Sequence, residues 1–291
     1  MQPIPAITLE KLLSQYEVLL FDAYGVLVHS AGALPGAAAL ITELNRRAKP
    51  YYMLTNDASK LPTTAAARYQ SYGLPLSSEH IISSGELLTP YFATHQLQGA
   101  RCAVLGPVDS IRYVEQAGGQ VVPPGEPFEV LVVGDESGFP FLETVDTMLS
   151  TLCRLLDQQR TVHLVLPNPD IIYPSDIGFG MASGCVAMMF EAALQARYPE
   201  RKDLRFVRLG KPYTAIFAEA VRRSGTHNMV MFGDQLATDI RGARTFGLDA
   251  VLVNTGVTTE IAPTTPVELR PTYQLGSLEA LLKEPPPSGG R

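Results

Sequence analysis

Short apolar runs recur along the chain, each ending in small or polar residues: Val18 to Phe21, Tyr51 to Leu54, Cys102 to Leu105, Val130 to Val133, Val162 to Leu166, Met229 to Phe232 and Ala250 to Val253. They are rich in Val and Leu and do not alternate with polar residues, the pattern of strands buried on both faces. Helical patterning fills the stretches Pro35 to Arg47, Thr63 to Tyr72 and Tyr213 to Arg223, and Pro35 suits a first helical turn. Strands alternating with helices predict βαβ units, hence an α/β fold with a mostly parallel sheet.

Three of the runs lead directly into reactive groups: Val18 to Phe21 into Asp22, Tyr51 to Leu54 into Thr55 and Asn56, and Met229 to Phe232 into Gly233 and Asp234. Ligands of open α/β sheets bind at the carboxyl ends of the strands. Three segments of the chain are therefore expected to deliver side chains to one crevice. The stretch from about Ser83 to Asp176 interrupts this series with three further strand candidates and the loop-rich Val122-Pro123-Pro124-Gly125-Glu126-Pro127. It reads as an inserted domain, of the kind that closes over a crevice. The expected division is a core of residues 1–83 and 177–284, an insert of 84–176, and a disordered tail of 285–291.

The 291 residues suit one large α/β domain or two smaller ones. A formal net charge of −6 without a basic block argues against nucleic acid or an anionic membrane as partner. Cys102, Cys153 and Cys185 show no zinc or redox spacing and read as reduced thiols. No signal peptide or membrane-spanning run is visible, so a soluble, cytoplasmic protein is expected.

Asp22, followed by Tyr24-Gly25, is a carboxylate at a strand tip, able to attack phosphorus and form an acyl phosphate, or equally to cap a turn. Asp234 and Asp239, five residues apart, offer the hard oxygen ligands Mg²⁺ prefers; Asp239 would ligate directly or orient a water, or cap a helix. Thr55 and Asn56, with the N–H groups of the following turn, can cradle phosphate oxygens. Lys211, pinned between Gly210 and Pro212, can neutralise a transferring phosphoryl group; Pro212 would fit the start of the next helix. Each has a bland reading, but all four groups in this order suit one reaction.

The order resembles the haloacid dehalogenase (HAD) superfamily, and within it the type IIA phosphatases, over nearly the whole chain. Leu20-Phe21-Asp22-Ala23-Tyr24-Gly25-Val26-Leu27 resembles the first motif, Leu54-Thr55-Asn56 the second, Gly210-Lys211-Pro212 the third, and Gly233-Asp234 through Thr238-Asp239 the fourth. Asn168-Pro169-Asp170, followed by Pro174, resembles the segment where a type IIA cap returns to the core. The resemblance implies a Rossmann-like core with an inserted α/β cap. It implies a phosphatase of small phosphorylated metabolites, with Asp22 as nucleophile and Mg²⁺ held by Asp22, the Tyr24 carbonyl and Asp234, with Asp239 as a further ligand or the holder of a bound water. Thr55, Asn56 and Lys211 would hold phosphate, Asp170 and Tyr173 would face the substrate, and a homodimer would form through the cap.

One departure stands out. Phosphatases of the superfamily usually carry a second Asp two residues after the nucleophile, to protonate the leaving group and later activate water; here that residue is Tyr24. Losing a general acid/base costs roughly 10²–10⁴-fold in rate. Two alternatives follow: a weakened phosphate-binding or regulatory protein on the same scaffold, and, because Asp-x-Tyr also resembles true haloacid dehalogenases, a metal-independent C–halogen hydrolase.

Overall fold

The computed structural model describes residues 4–175 and 178–283. It divides into two units. Of the described residues, the first unit takes those in Met1–Thr55, Pro62–Ile82 and Pro212–Arg291, and the second those in Asn56–Leu61 and Ser83–Lys211.

The first unit is built on a six-stranded sheet in the spatial order Tyr273–Leu275, Asp249–Val253, Met229–Gly233, Val18–Asp22, Tyr51–Thr55, Ile81–Ser83. Numbered along the chain this is 3-2-1-4-5-6 read from the other edge, the order of a doubly wound sheet whose switch point lies between Val18–Asp22 and Met229–Gly233. Those two strands pair in parallel, Phe21 opposite Phe232, their rings stacked at 4.8 Å. Both strands are buried at every position, which explains their unbroken apolar spelling. All seven apolar runs form strands within a residue of the expected bounds.

The helices follow the expected pattern with shifted starts. Ala37–Arg46 begins two residues after Pro35, because Gly36 takes the N-cap with φ 83° and its Cα lies where a Cβ would sit 2.5 Å from the Glu279 backbone nitrogen. Thr214–Ser224 likewise starts two residues beyond Pro212 and ends on Gly225 in the left-handed conformation. Pro62 opens the helix Pro62–Ser71, where a missing N–H costs nothing.

The second unit holds a five-stranded sheet in the order Val207–Arg208, His163–Leu166, Val130–Val133, Arg101–Leu105, Gln120–Val121, all pairs parallel. Along the chain this is 2-1-3-4-5, again doubly wound. A hairpin, Ile172–Ser175 with Gly178–Met181, follows the fourth strand. The expected insert of 84–176 is too short. The helix Ser183–Arg197 buries Val186, Phe190 and Leu194 in this unit's core, and Val207–Arg208 pairs with its sheet, so the unit extends to Lys211. Nothing in the apolar pattern marked so short a strand. The expected tail, 285–291, lies outside the described residues.

The three cysteines are unpaired, and burial pushes the Cys102 thiol up to about 12. Among the described residues no helix is long and apolar enough to cross a membrane.

Candidate active site

At the switch point of the first unit's sheet, three carboxylates converge. Asp22 closes its strand, Asp234 directly follows Met229–Gly233, and Asp239 lies in a short π-helical turn, Leu236–Ile240. One oxygen from each lies within 4.8 Å of the others, and all three residues are buried. Bringing three anions together away from water is unfavourable unless a cation joins them. Hard carboxylate oxygens at this spacing suit a divalent cation such as Mg²⁺.

Local backbone devices hold each carboxylate. Asp22 Oδ1 accepts the Ala23 N–H at 2.7 Å. Asp234 Oδ2 accepts the Val257 N–H at 2.7 Å, and the Thr258 N–H bonds the Asp234 carbonyl at 3.0 Å. Asp239 Oδ2 turns back to the Gln235 N–H at 3.2 Å. The wide π turn makes that return possible; such turns are frequent at functional sites. Close approach is bought by glycine. A Cβ on Gly25 would lie 2.4 Å from Asp234 Oδ2, one on Gly256 1.9 Å from the same atom, and one on Gly233 2.1 Å from Asp239 Cβ. Gly25 also needs its positive φ of 82° for the turn after Asp22. Thr255 Oγ1 donates to the Gly25 carbonyl at 2.6 Å, tying that turn to the loop after Asp249–Val253.

This last loop, Asn254 to Thr258, escaped the sequence reading. The only available signal was the polar Asn254-Thr255-Gly256 after an apolar run, and its role depends on where the strand ends in space.

Tyr24 sits two residues past Asp22, half-buried against the core of the first unit. Its hydroxyl accepts a hydrogen bond from Arg68 Nη2 at 2.7 Å, and Arg68 Nε donates to the Tyr72 hydroxyl at 3.0 Å. Arg68, on the helix Pro62–Ser71, also went unnoticed in the sequence, because an arginine at a helical position gives no sign of its partner.

Thr55 is buried at the end of its strand in the first unit. Asn56, Asp170 and Lys211 come together in the second. Asn56 Nδ2 donates to Asp170 Oδ1 at 2.9 Å and to the Lys211 carbonyl at 3.0 Å, while Asn56 Oδ1 accepts the Lys211 N–H at 2.7 Å. Tyr173 is 45% exposed on the hairpin, opposite Gly180, and does not join this group.

Residues 19–120 match the family described as haloacid dehalogenase-like hydrolase, and residues 208–281 the one described as HAD-hydrolase-like. A possible sugar phosphatase of the HAD superfamily from Cytophaga hutchinsonii is 31% identical, with a TM-score of 0.78, covering 95% of this chain and 99% of that one. The chain belongs to the HAD superfamily, in its type IIA phosphatase branch. It is 27% identical to a dihydroxyacetone phosphatase of Corynebacterium glutamicum, over 90% of this chain and 89% of that protein. A glycerol phosphate phosphatase from Mycobacterium tuberculosis, solved with magnesium, has the same fold at 23% identity (TM-score 0.79, covering 93% of this chain and 78% of that one).

Proposed function

We propose that this protein hydrolyses small phosphate monoesters in two steps, through an aspartyl-phosphate on Asp22, with Mg²⁺ held by Asp22, Asp234, Asp239 and the Tyr24 carbonyl. The carrying observation is the convergence of three buried carboxylates at the sheet's switch point. An Asp22 carboxylate oxygen attacks phosphorus and the ester oxygen departs; water then attacks the same phosphorus and frees Asp22. Bound there, the cation supplies charge neutralisation for the phosphoryl oxygens. Thr55 offers a hydroxyl for those oxygens, and Lys211 the positive charge.

Relatives named dihydroxyacetone phosphatase and acid sugar phosphatase support a small phosphorylated metabolite as substrate. A homodimer through the second unit belongs to the same reading: Ile172, Phe179, Met188 and Met189 are exposed apolar side chains of that unit. Sedimentation of the parent and of Phe179→Glu checks it, and a monomeric parent overturns it.

The deciding assay is turnover of an activated aryl phosphate with Mg²⁺, beside Asp22→Asn. The parent should turn over and Asp22→Asn should be slower on the order of 10⁶-fold, as when other covalent nucleophiles are removed. Activity that survives Asp22→Asn, or absence of activity across a broad phosphomonoester panel, rules the proposal out.

The bond from Arg68 to Tyr24 favours a second reading, of a site weak toward poor leaving groups. Tyr24 lacks the carboxyl that would protonate a leaving group, so Tyr24→Asp should raise turnover of alkyl phosphates more than that of aryl phosphates. Equal rates for parent and variant would remove Tyr24 as the limiting element.

A further inference from the structure

The second motif's asparagine has its hydrogen-bonding groups already committed. A side-chain amide carries two N–H donors and one carbonyl oxygen. Both donors of Asn56 are used, one on Asp170 Oδ1 and one on the Lys211 carbonyl, and its oxygen takes the Lys211 N–H. Asn56 is only 5% exposed and Lys211 only 3%. A phosphate oxygen could reach the amide N–H groups only by displacing bonds to this chain.

The pairing has a definite form. Asn56 addresses the N–H and the C=O of one residue, Lys211, at 2.7 and 3.0 Å, as a neighbouring strand would. Two bonds to one residue hold both of its backbone torsions, and so the direction in which its side chain leaves the main chain. Gly210 is part of the device. A Cβ there would lie 2.5 Å from Asn56 Oδ1 and 2.7 Å from the Pro167 carbonyl, so only glycine lets the amide approach. The Asp170 side is held as well, its N–H bonded to Asn168 Oδ1 at 3.0 Å.

We propose that Asn56 is a positioning residue for Lys211, not a phosphate ligand, and that Asp170 acts through Asn56 by fixing the amide's orientation. Lys211 is thereby set from two remote points of the chain, the turn after Thr55 and the Asn168–Asp170 segment. The Gly-Lys-Pro spelling follows: glycine admits the clamp, the lysine is clamped, and the proline leads into the helix Thr214–Ser224. This rests on the phosphatase reading for its kinetic arm, and hydrogen exchange separates the two.

The test is a double-mutant cycle between Asn56→Ala and Lys211→Met on an aryl phosphate with Mg²⁺. Asn56→Ala alone should lower kcat on the order of 10²-fold, the cost of a misplaced group about 1 Å from its working position. On the Lys211→Met background the same change should cost less than about twofold, because Asn56 acts through Lys211. Full additivity would mean that Asn56 meets the phosphate itself, and overturns the proposal. Where Asn56→Ala does not fold, Asn56→Asp replaces it. That carboxylate faces the Lys211 carbonyl and Asp170, and adding Asp170→Asn should recover at least about tenfold of the loss by removing one repulsion. Absence of recovery overturns the proposal. Amide hydrogen exchange at Lys211 needs no activity: it should quicken in the Asn56 variant, and unchanged protection overturns the clamp. A parent without phosphatase activity but with this exchange result would fail the phosphatase reading alone.

Discussion

The two sheets of this protein are built alike and used differently. Each is parallel and doubly wound, and each has a switch point where two strand ends part. In the first unit the switch point carries Asp22 and Asp234, with glycines at 25, 233 and 256 clearing room for charged oxygens. In the second, the strands Arg101–Leu105 and Val130–Val133 also end in glycines, Gly106 and Gly134, but the room is taken by Ser110. A Cβ on Gly106 would lie 2.5 Å from Ser110 Oγ, and one on Gly134 2.8 Å from Ser110 Cβ. Ser110 then donates to the Ala58 carbonyl at 2.8 Å, Tyr113 to the Lys60 carbonyl, and the Leu61 N–H to Asp109, so the segment 56–61 is bound onto the helix Val108–Gln116. The same topology gathers buried carboxylates in one case and seats the protein's own chain in the other. What the glycines make room for decides which.

The contrast can be broken by substitution, most severely at the carboxylates. Asp234→Asn should weaken Mg²⁺ binding by more than the roughly 10–100-fold typical of losing an outer partner of a metal ligand. Calorimetric titration of the full chain measures it, and an unchanged affinity would mean that the cation does not use Asp234. Gly256→Ala places a methyl 1.9 Å from Asp234 Oδ2 and should cost about 10–100-fold in Mg²⁺ affinity by moving that carboxylate. Gly134→Ala is the matched change in the other sheet. It should lower stability by about 1–3 kcal/mol through overpacking against Ser110, with Mg²⁺ affinity unaltered. Loss of affinity there would erase the distinction between the two switch points.

The smallest effect is expected at Asp135, beside Gly134. Burial raises its carboxyl pKa, with the Asp57 charge adding to it and bonds from Ser137 opposing. A carboxyl with a raised folded pKa binds its proton more tightly when folded, so stability falls as pH rises from the unfolded value near 4 through the folded pKa. Asp135→Asn, which keeps an acceptor for Ser137, should therefore raise Tm slightly at pH 7. Melting curves from pH 4 to 8 should show the gain growing with pH; a constant difference would point to another cause.

Much of this was readable in the chain. The apolar runs placed seven strands, because strands buried on both faces must be spelled without polar interruptions, and their polar ends named Asp22, Thr55, Asn56 and Asp234. The spacing of Asp239 from Asp234 was visible as well. Other features had no linear signature. The reach of the second unit to Lys211 depends on the two-residue strand Val207–Arg208, which pairs with His163–Leu166 but is too short to carry a pattern. The convergence of three carboxylates within 4.8 Å required strand order, a π turn and the loop through Gly256. The commitment of Asn56 to Lys211 joins residues 155 positions apart. Residue order alone marks which segments are buried strands and which reactive groups stand at their ends, since burial and chemistry are local properties of residue type. Which of those ends meet, and what each side chain touches there, is set by folding, since hydrogen bonds and charge clusters form between segments that the chain order leaves far apart.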